Sequence, residues 1–227
     1  MNFTIILLLS LTLLAPATAQ TPVSIEKEPR HHLEFQNGYV RLFYVRIAPG
    51  DTTLFHVHEN DNVGVRLTNA KLSDVVPGGT PKKVSVNKGA VGFGHYPGPL
   101  THSVSNVGST PFHNMVVEIL PSKAVPFAVP VLADVAGHTL ELENERVRIL
   151  RLALAPGQST GQHLHDRRFL GVVVTEGKIA VERPATETET VAFNPGDYRW
   201  HERGMGHSIR NVGSTTFEAV EIELKGD

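Results

Sequence analysis

The chain has 227 residues, 41% hydrophobic and 19% charged, with a formal net charge of −2. That length allows one large domain or two of about 100 residues each, and positive charges scattered among negative ones give no clustered basic face, so no nucleic-acid partner is expected. There is no cysteine, which excludes disulfides and a cysteine-linked lipid anchor.

The first residues differ from the rest. Ile5 to Leu14 is an apolar run interrupted only by Ser10 and Thr12, too short for a bilayer, which needs about 20 apolar residues. Ala17-Thr18-Ala19 comes next and fits the A-x-A cleavage pattern. Residues 1–19 are therefore expected to be a signal peptide, although its n-region lacks Lys and Arg; the alternative is a buried N-terminal helix. Export without disulfides points to a bacterial periplasm, with no membrane partner after cleavage.

Most of the remaining chain reads as short strands. Val40 to Ile47, Val63 to Leu67, Asn114 to Leu120, Val147 to Leu154, Leu170 to Thr175 and Phe217 to Leu224 are rich in β-branched, aromatic and aliphatic residues. Phe217 to Leu224 partly alternates, as a half-buried strand does. Turn signals recur at Asn37-Gly38, Pro49-Gly50, Pro77-Gly78-Gly79, Pro97-Gly98, Pro156-Gly157 and Pro195-Gly196. Short strands at regular spacing predict an all-β sandwich or jelly-roll barrel, and no amphipathic helix is evident.

The chain repeats itself. Leu33 to Lys71 aligns without a gap on Leu140 to Lys178, superposing Val40-Arg41 on Val147-Arg148, Ala48-Pro49-Gly50 on Ala155-Pro156-Gly157, and His56 and His58 on His163 and His165. A second block, His102 to Thr110, matches His207 to Thr215, and Glu118 matches Glu223. The unit is about 90 residues, longer than the 20–50 residues of solenoid repeats, so each copy can be a small domain. The expected division is a unit over 20–120 with a leading arm, a linker over 121–137 containing Pro121, Pro126 and Pro130, and a second unit over 138–227.

Half of the twelve histidines fall at repeated positions: His56, His58 and His102, then His163, His165 and His207. His-x-His on a strand puts both rings on one face. A third histidine from another strand completes a facial set, and neutral imidazole suits Zn, Cu, Fe and Ni. These six are the candidate metal ligands. His31, His32, His113 and His138 belong to no such constellation.

With these residues the sequence resembles the cupin superfamily over nearly all of the mature chain. Gly50 to His58 and Gly157 to His165 fit the start of the first cupin motif, and Gly177 its end, with Ala70 in the other copy. His102 with Asn106, and His207 with Asn211, fit the end of the second motif, and Gly196 and Gly204 match its glycines, where the first copy has Val91 and Pro99. The resemblance implies an all-β bicupin of two tandem double-stranded β-helix (jelly-roll) domains, each with a metal site. The motif's glutamate ligand is missing: Asn62 or Val63 stands there in one copy, Phe169 or Leu170 in the other. That implies three-His sites holding a divalent transition metal (Fe, Cu, Zn, Ni or Mn), as in thiol, diketone and gentisate-type dioxygenases. A metal bound only by neutral imidazoles keeps its full charge and favours an anionic ligand.

Other residues stand near these motifs. His95 and His201 lie just upstream of the third histidine of each copy, at spacings that differ by one residue, and are the candidate catalytic acid/base groups or fourth ligands. Glu59 and Asp166 come directly after each His-x-His, and strand alternation points them outward. Arg167 and Arg168 are either carboxylate readers or solvated; Tyr198 and Trp200 wall a pocket or pack in the core, matched by Phe93 and Tyr96 in the first copy. The expected activity is a metal-dependent enzyme, an oxygenase acting on a small-molecule substrate. The alternative is a non-catalytic periplasmic metal- or ligand-binding cupin, and either is expected as a monomer or homodimer.

Overall fold

The structure is a computed structural model that describes residues 20–122, 134–184 and 186–226. The expected signal peptide and most of the expected linker lie outside the described residues. A leading arm forms β1 (Val23–Ser24) and a single 3-10 turn (Ile25–Lys27). The first half continues with β2 (His31–Gln36), β3 (Val40–Ile47), β4 (His56–His58), β5 (Asn62–Arg66), β6 (Ala70–Val75), β7 (Lys82–Val86), β8 (Val91–Gly94), β9 (Leu100–Asn106) and β10 (Phe112–Ile119). The second half has β11 (His138–Glu143), β12 (Val147–Leu154), β13 (His163–His165), β14 (Phe169–Val173), β15 (Gly177–Glu182), β16 (Glu189–Phe193), β17 (Tyr198–His201), β18 (Met205–Asn211) and β19 (Phe217–Leu224).

Each half is a two-sheet jelly roll. One sheet has the order β2-β3-β10-β5-β8, repeated as β11-β12-β19-β14-β17; the other has β4-β9-β6-β7, repeated as β13-β18-β15-β16, with β1 added on the free edge of β4 in the first half. Even the irregularities recur. A register shift falls between Leu33 and Phe35 on β2 and between Leu140 and Leu142 on β11, residues that the sequence repeat superposes. The repeated asparagines close each barrel: Asn106 Nδ2 donates to the Ile47 and Thr110 carbonyls, Asn211 Nδ2 to those of Leu154 and Thr215. Such buried bonds hold the end of one sheet to the other.

The halves pack back to back. Strands β3, β5 and β10 turn Val40, Leu42, Val63, Val65, Met115 and Val117 outward from their own barrel into one core with Ile149, Leu170, Val172, Val220 and Ile222. The next residues along, Phe43, Val45 and Ile47 on β3 and Leu152 and Leu154 on β12, point into their own barrels. Both faces of these strands are therefore largely dry, with Arg46 on β3 exposed, which explains their near-continuous apolar sequences. Tyr39 stacks on Trp200 across the seam at 5.9 Å, Arg168 lies 4.3 Å above the Tyr39 ring, and Tyr198 Oη donates to the Glu34 carbonyl at 2.8 Å.

This packing corrects the reading of Phe217 to Leu224 as a strand with one wet face. Val220, Ile222 and Leu224 face the other half, whereas Glu221 and Glu223 point inward, 3% and 1% exposed. The alternation there separates a dry seam from a barrel interior, not a core from solvent. Because the seam is a true core, Leu170→Ala is expected to cost about 2–5 kcal/mol of stability, read from urea unfolding, with both halves unfolding in one transition.

Candidate metal centres

Strand register assembles each histidine cluster. Antiparallel pairing places His102 on β9 directly opposite His56 on β4, and His207 on β18 opposite His163 on β13. His58 and His165 stand two residues further on, on the same face. The six predicted ligands form two near-identical triangles. Ring centroids lie at 4.6 Å (His56–His102), 5.0 Å (His56–His58) and 5.1 Å (His58–His102), and the same three separations recur among His163, His165 and His207.

The nitrogens have the environment of a metal donor set. In the second half, His163 Nε2 lies 3.2 Å from His165 Nε2 and 3.1 Å from His207 Nε2. Two imidazole nitrogens bound to one metal at about 2.1 Å and near a right angle stand about 3 Å apart. His163 Nδ1 is turned to the Gly161 carbonyl, so its proton sits there and Nε2 presents a lone pair. In the first half, Nδ1 of His56 faces the Leu54 carbonyl and Nδ1 of His102 faces Asp74 Oδ1, both at 2.9 Å, while the buried Nε2 atoms of both have no partner. Converging lone pairs without protons are relieved by a cation, so the residues present fit a divalent metal.

A layer of carboxylates stands behind the rings, where second partners orient metal ligands. Glu118 on β10 is held by Arg41 at 2.6 Å and faces His58 Nδ1 at 3.9 Å. Its counterpart Glu223 lies 3.6 Å from both Arg148 and His165 Nδ1. These residues were visible in the repeat, but nothing in their spacing revealed that they point inward.

The sequence reading missed two further histidines. His31 and His138, set aside as belonging to no constellation, open β2 and β11 and lean into the clusters. The His31 ring is 4.5 Å from His56, and ligand atoms of His31, His56 and His58 all lie within 4.8 Å of one another. His138 is 5.2 Å from His163. Extending the repeat alignment two residues upstream from Leu33 and Leu140 superposes them, and that was the available signal. Each carries its own buried carboxylate: His31 Nδ1 is 2.7 Å from Glu28, and His138 Nε2 is 3.3 Å from Glu221. Burial works to raise both carboxyls, but His31 and two backbone amides bring Glu28 down, and His138 with the other imidazoles around it brings Glu221 to about 2.

His95 and His201 part company. The His95 side chain is 67% exposed, with Nδ1 2.9 Å from Asp61. His201 lies flat on Phe169 at 4.4 Å, and Phe169 lies on His165 at 4.1 Å. Register explains the one-residue mismatch, because β17 pairs His201 with Phe169 where β8 pairs Gly94 with Asn62. The second-half cavity is thus filled to about 70 Å³, while the first half keeps about 250 Å³ beside His31, His56, His58 and His102. Glu59 is exposed, Arg167 pairs with Asp166 and Arg168 with Glu202.

Burial lowers His56 and His201 to about 4, His207 to about 3 and His58 to about 2. Below pH 6.5 the unfolded chain protonates these groups and the folded protein does not, so stability falls with pH. Glu221 adds to the loss only below 4.5. Metal-free protein is expected to show a urea midpoint that drops steadily from pH 6.5 towards 4; a midpoint flat across that window would contradict neutral, buried rings.

Residues 150–223 match the cupin domain family. A curated relative, the beta-alanine degradation protein BauB of Pseudomonas aeruginosa, is 26% identical over 87 residues, 38% of this chain and 90% of that protein. Among solved structures, salicylate 1,2-dioxygenase from Pseudaminobacter salicylatoxidans matches with a TM-score of 0.58 at 14% identity, covering 88% of this chain and 77% of that one. A variant of oxalate decarboxylase from Bacillus subtilis matches with a TM-score of 0.56 at 13% identity, covering 93% and 78%. At such identities the likeness is one of fold. Two jelly rolls of matching topology, each built around a His-x-His strand, make this chain a member of the cupin superfamily, a bicupin with a three-histidine cluster in each half.

Proposed function

We propose that the protein is a metal-dependent enzyme, an oxygenase acting on a small organic molecule in the cup of the first half. The observation that carries this reading is bare imidazole nitrogen beside open space: the unpartnered Nε2 atoms of His56 and His102 stand at a cavity of about 250 Å³. His56, His58 and His102 would hold one metal, with His31 as a neighbouring imidazole, and His163, His165 and His207 a second. A redox-active ion supplies oxygen activation when bound, and a redox-inert one supplies Lewis acidity.

The chain's own groups suit this role. Leu54 O and Asp74 hold the Nδ1 protons of His56 and His102, which leaves Nε2 free as donor. Tyr96, raised by burial, keeps its hydroxyl proton at the cavity wall, 3.4 Å from Asn62 Nδ2. Val84, Leu100, Val104 and Phe112 give the cup an apolar side. The shared fold with salicylate 1,2-dioxygenase and oxalate decarboxylase is in keeping with such chemistry. The filled cavity of the second half favours metal held there without turnover. The A-x-A pattern after the apolar N-terminal run supports export to a periplasm.

Mature protein purified without tag or chelator is expected to carry a transition metal by mass spectrometry, with about one equivalent lost in each of His56→Ala and His163→Ala. Iron-loaded protein is expected to consume oxygen with one class among thiols, diketones, flavonols and hydroxy-aromatic acids. That uptake disappears in His56→Ala and survives in His163→Ala. Metal binding with no uptake on any class would leave the non-catalytic binding protein.

A further inference from the structure

The first-half cup contains a charge that the metal site leaves unexplained. Arg66 ends β5 and its half-buried guanidinium forms part of the cavity wall. Nη1 donates to Asn114 Oδ1 at 3.3 Å, and among the described residues no carboxylate pairs with it. Asp74, which lines the same cavity, is taken by His102 Nδ1. Burial, which takes the charged form out of water, holds the Arg66 pKa below its ordinary value.

The backbone is cleared for this side chain. A Cβ on Gly64 would overlap Arg66 Nη1, and one on Gly92 would stand 3.5 Å from Nη2. The second half keeps a glycine at the Gly64 position, Gly171, but not the side chains around it. Where Arg66 pairs with Asn114 across β5 and β10, Val173 pairs with Ala219 across β14 and β19. Where β8 has Gly92 and Gly94, β17 has Arg199 and His201. The Arg66–Asn114 pair and the open space beside it therefore occur together in the first cup; the guanidinium at the wall of the second, Arg199, lies 5.1 Å over the Phe193 ring beside a cavity of only about 70 Å³.

A planar guanidinium fork matches a carboxylate through two parallel hydrogen bonds. Apart from the histidines, Thr53, Asn62, Asp74 and Tyr96, the remaining wall is aliphatic and aromatic, and about 250 Å³ is below the roughly 300–1,000 Å³ of pockets for drug-sized ligands. We propose that Arg66, steadied by Asn114, anchors the carboxylate of a small organic acid with an apolar body in the first-half cup. This rests on the reading of that cup as the working site and names its substrate class.

Calorimetric titration of the full chain with benzoate against benzamide, and hexanoate against hexanamide, tests it before and after metal removal by chelation. In metal-free protein at least one acid is expected to bind about 10- to 100-fold tighter than its amide. The preference shrinks to within about twofold in Arg66→Gln and in Gly64→Ala, which displaces the guanidinium while keeping its charge; thermal unfolding of both variants reports whether they fold. No acid binding, equal affinity for acid and amide, or a preference that survives in folded Arg66→Gln overturns the assignment. An Arg66-dependent preference in a protein found to bind no metal sinks the oxygenase reading and leaves this one standing.

Discussion

Everything in this molecule depends on the period-two alternation of β10 and β19. Along β10, Met115, Val117 and Ile119 meet the other half, while Asn114, Val116 and Glu118 meet the cup. Along β19, Val220, Ile222 and Leu224 do the same on one face and Ala219, Glu221 and Glu223 on the other. A single strand thus serves both as half of a hydrophobic seam and as the wall that brings carboxylates behind the clustered imidazole rings. A one-residue slip would turn glutamates into the seam and valines onto the histidines. Register is therefore set by the packing of two barrels at once, and the position of every imidazole depends on it.

That double duty decides what could be read from sequence. The strands Val40 to Ile47, Val147 to Leu154 and Phe217 to Leu224 coincide with β3, β12 and β19, because apolar strands bounded by turn residues carry a strong local signal. The six clustered histidines were legible because cross-strand pairing repeats where the sequence repeats. Glu118, Glu221 and Glu223 were not, because a glutamate alternating with apolar residues looks the same whether its face meets water or a buried imidazole. Arg66 stayed hidden for the opposite reason: it sits in an apolar run with no counterpart in the other copy, and only the space over Gly64 and Gly92 shows where its charge goes. His31 and His138 lay two residues outside the aligned block.

The cups have the same frame and different contents. Asn62 and Gly94 in one stand where Phe169 and His201 stand in the other. In the second half the ring pair covers His165 and takes up the space that the first half leaves open. Both keep the triangle of imidazoles with the same separations, so the frame tolerates large changes in the side chains packed beside the histidines. Even the buried His–Glu pairs differ in origin: Glu28 comes from the arm and Glu221 from β19, yet each ends beside the histidine that opens its sheet.

The back-to-back seam has a genetic consequence. A symmetric dimer of one such barrel would present every substitution twice, so a change that opened one cup would open both, and a change that filled one would silence both. Joining the barrels in a single chain removes that restriction while keeping the shared face. Each cup then varies alone, provided the residues of the seam hold still, and one can retain its histidines behind a plug of Phe169 and His201 while the other gains Arg66 and room for a guest.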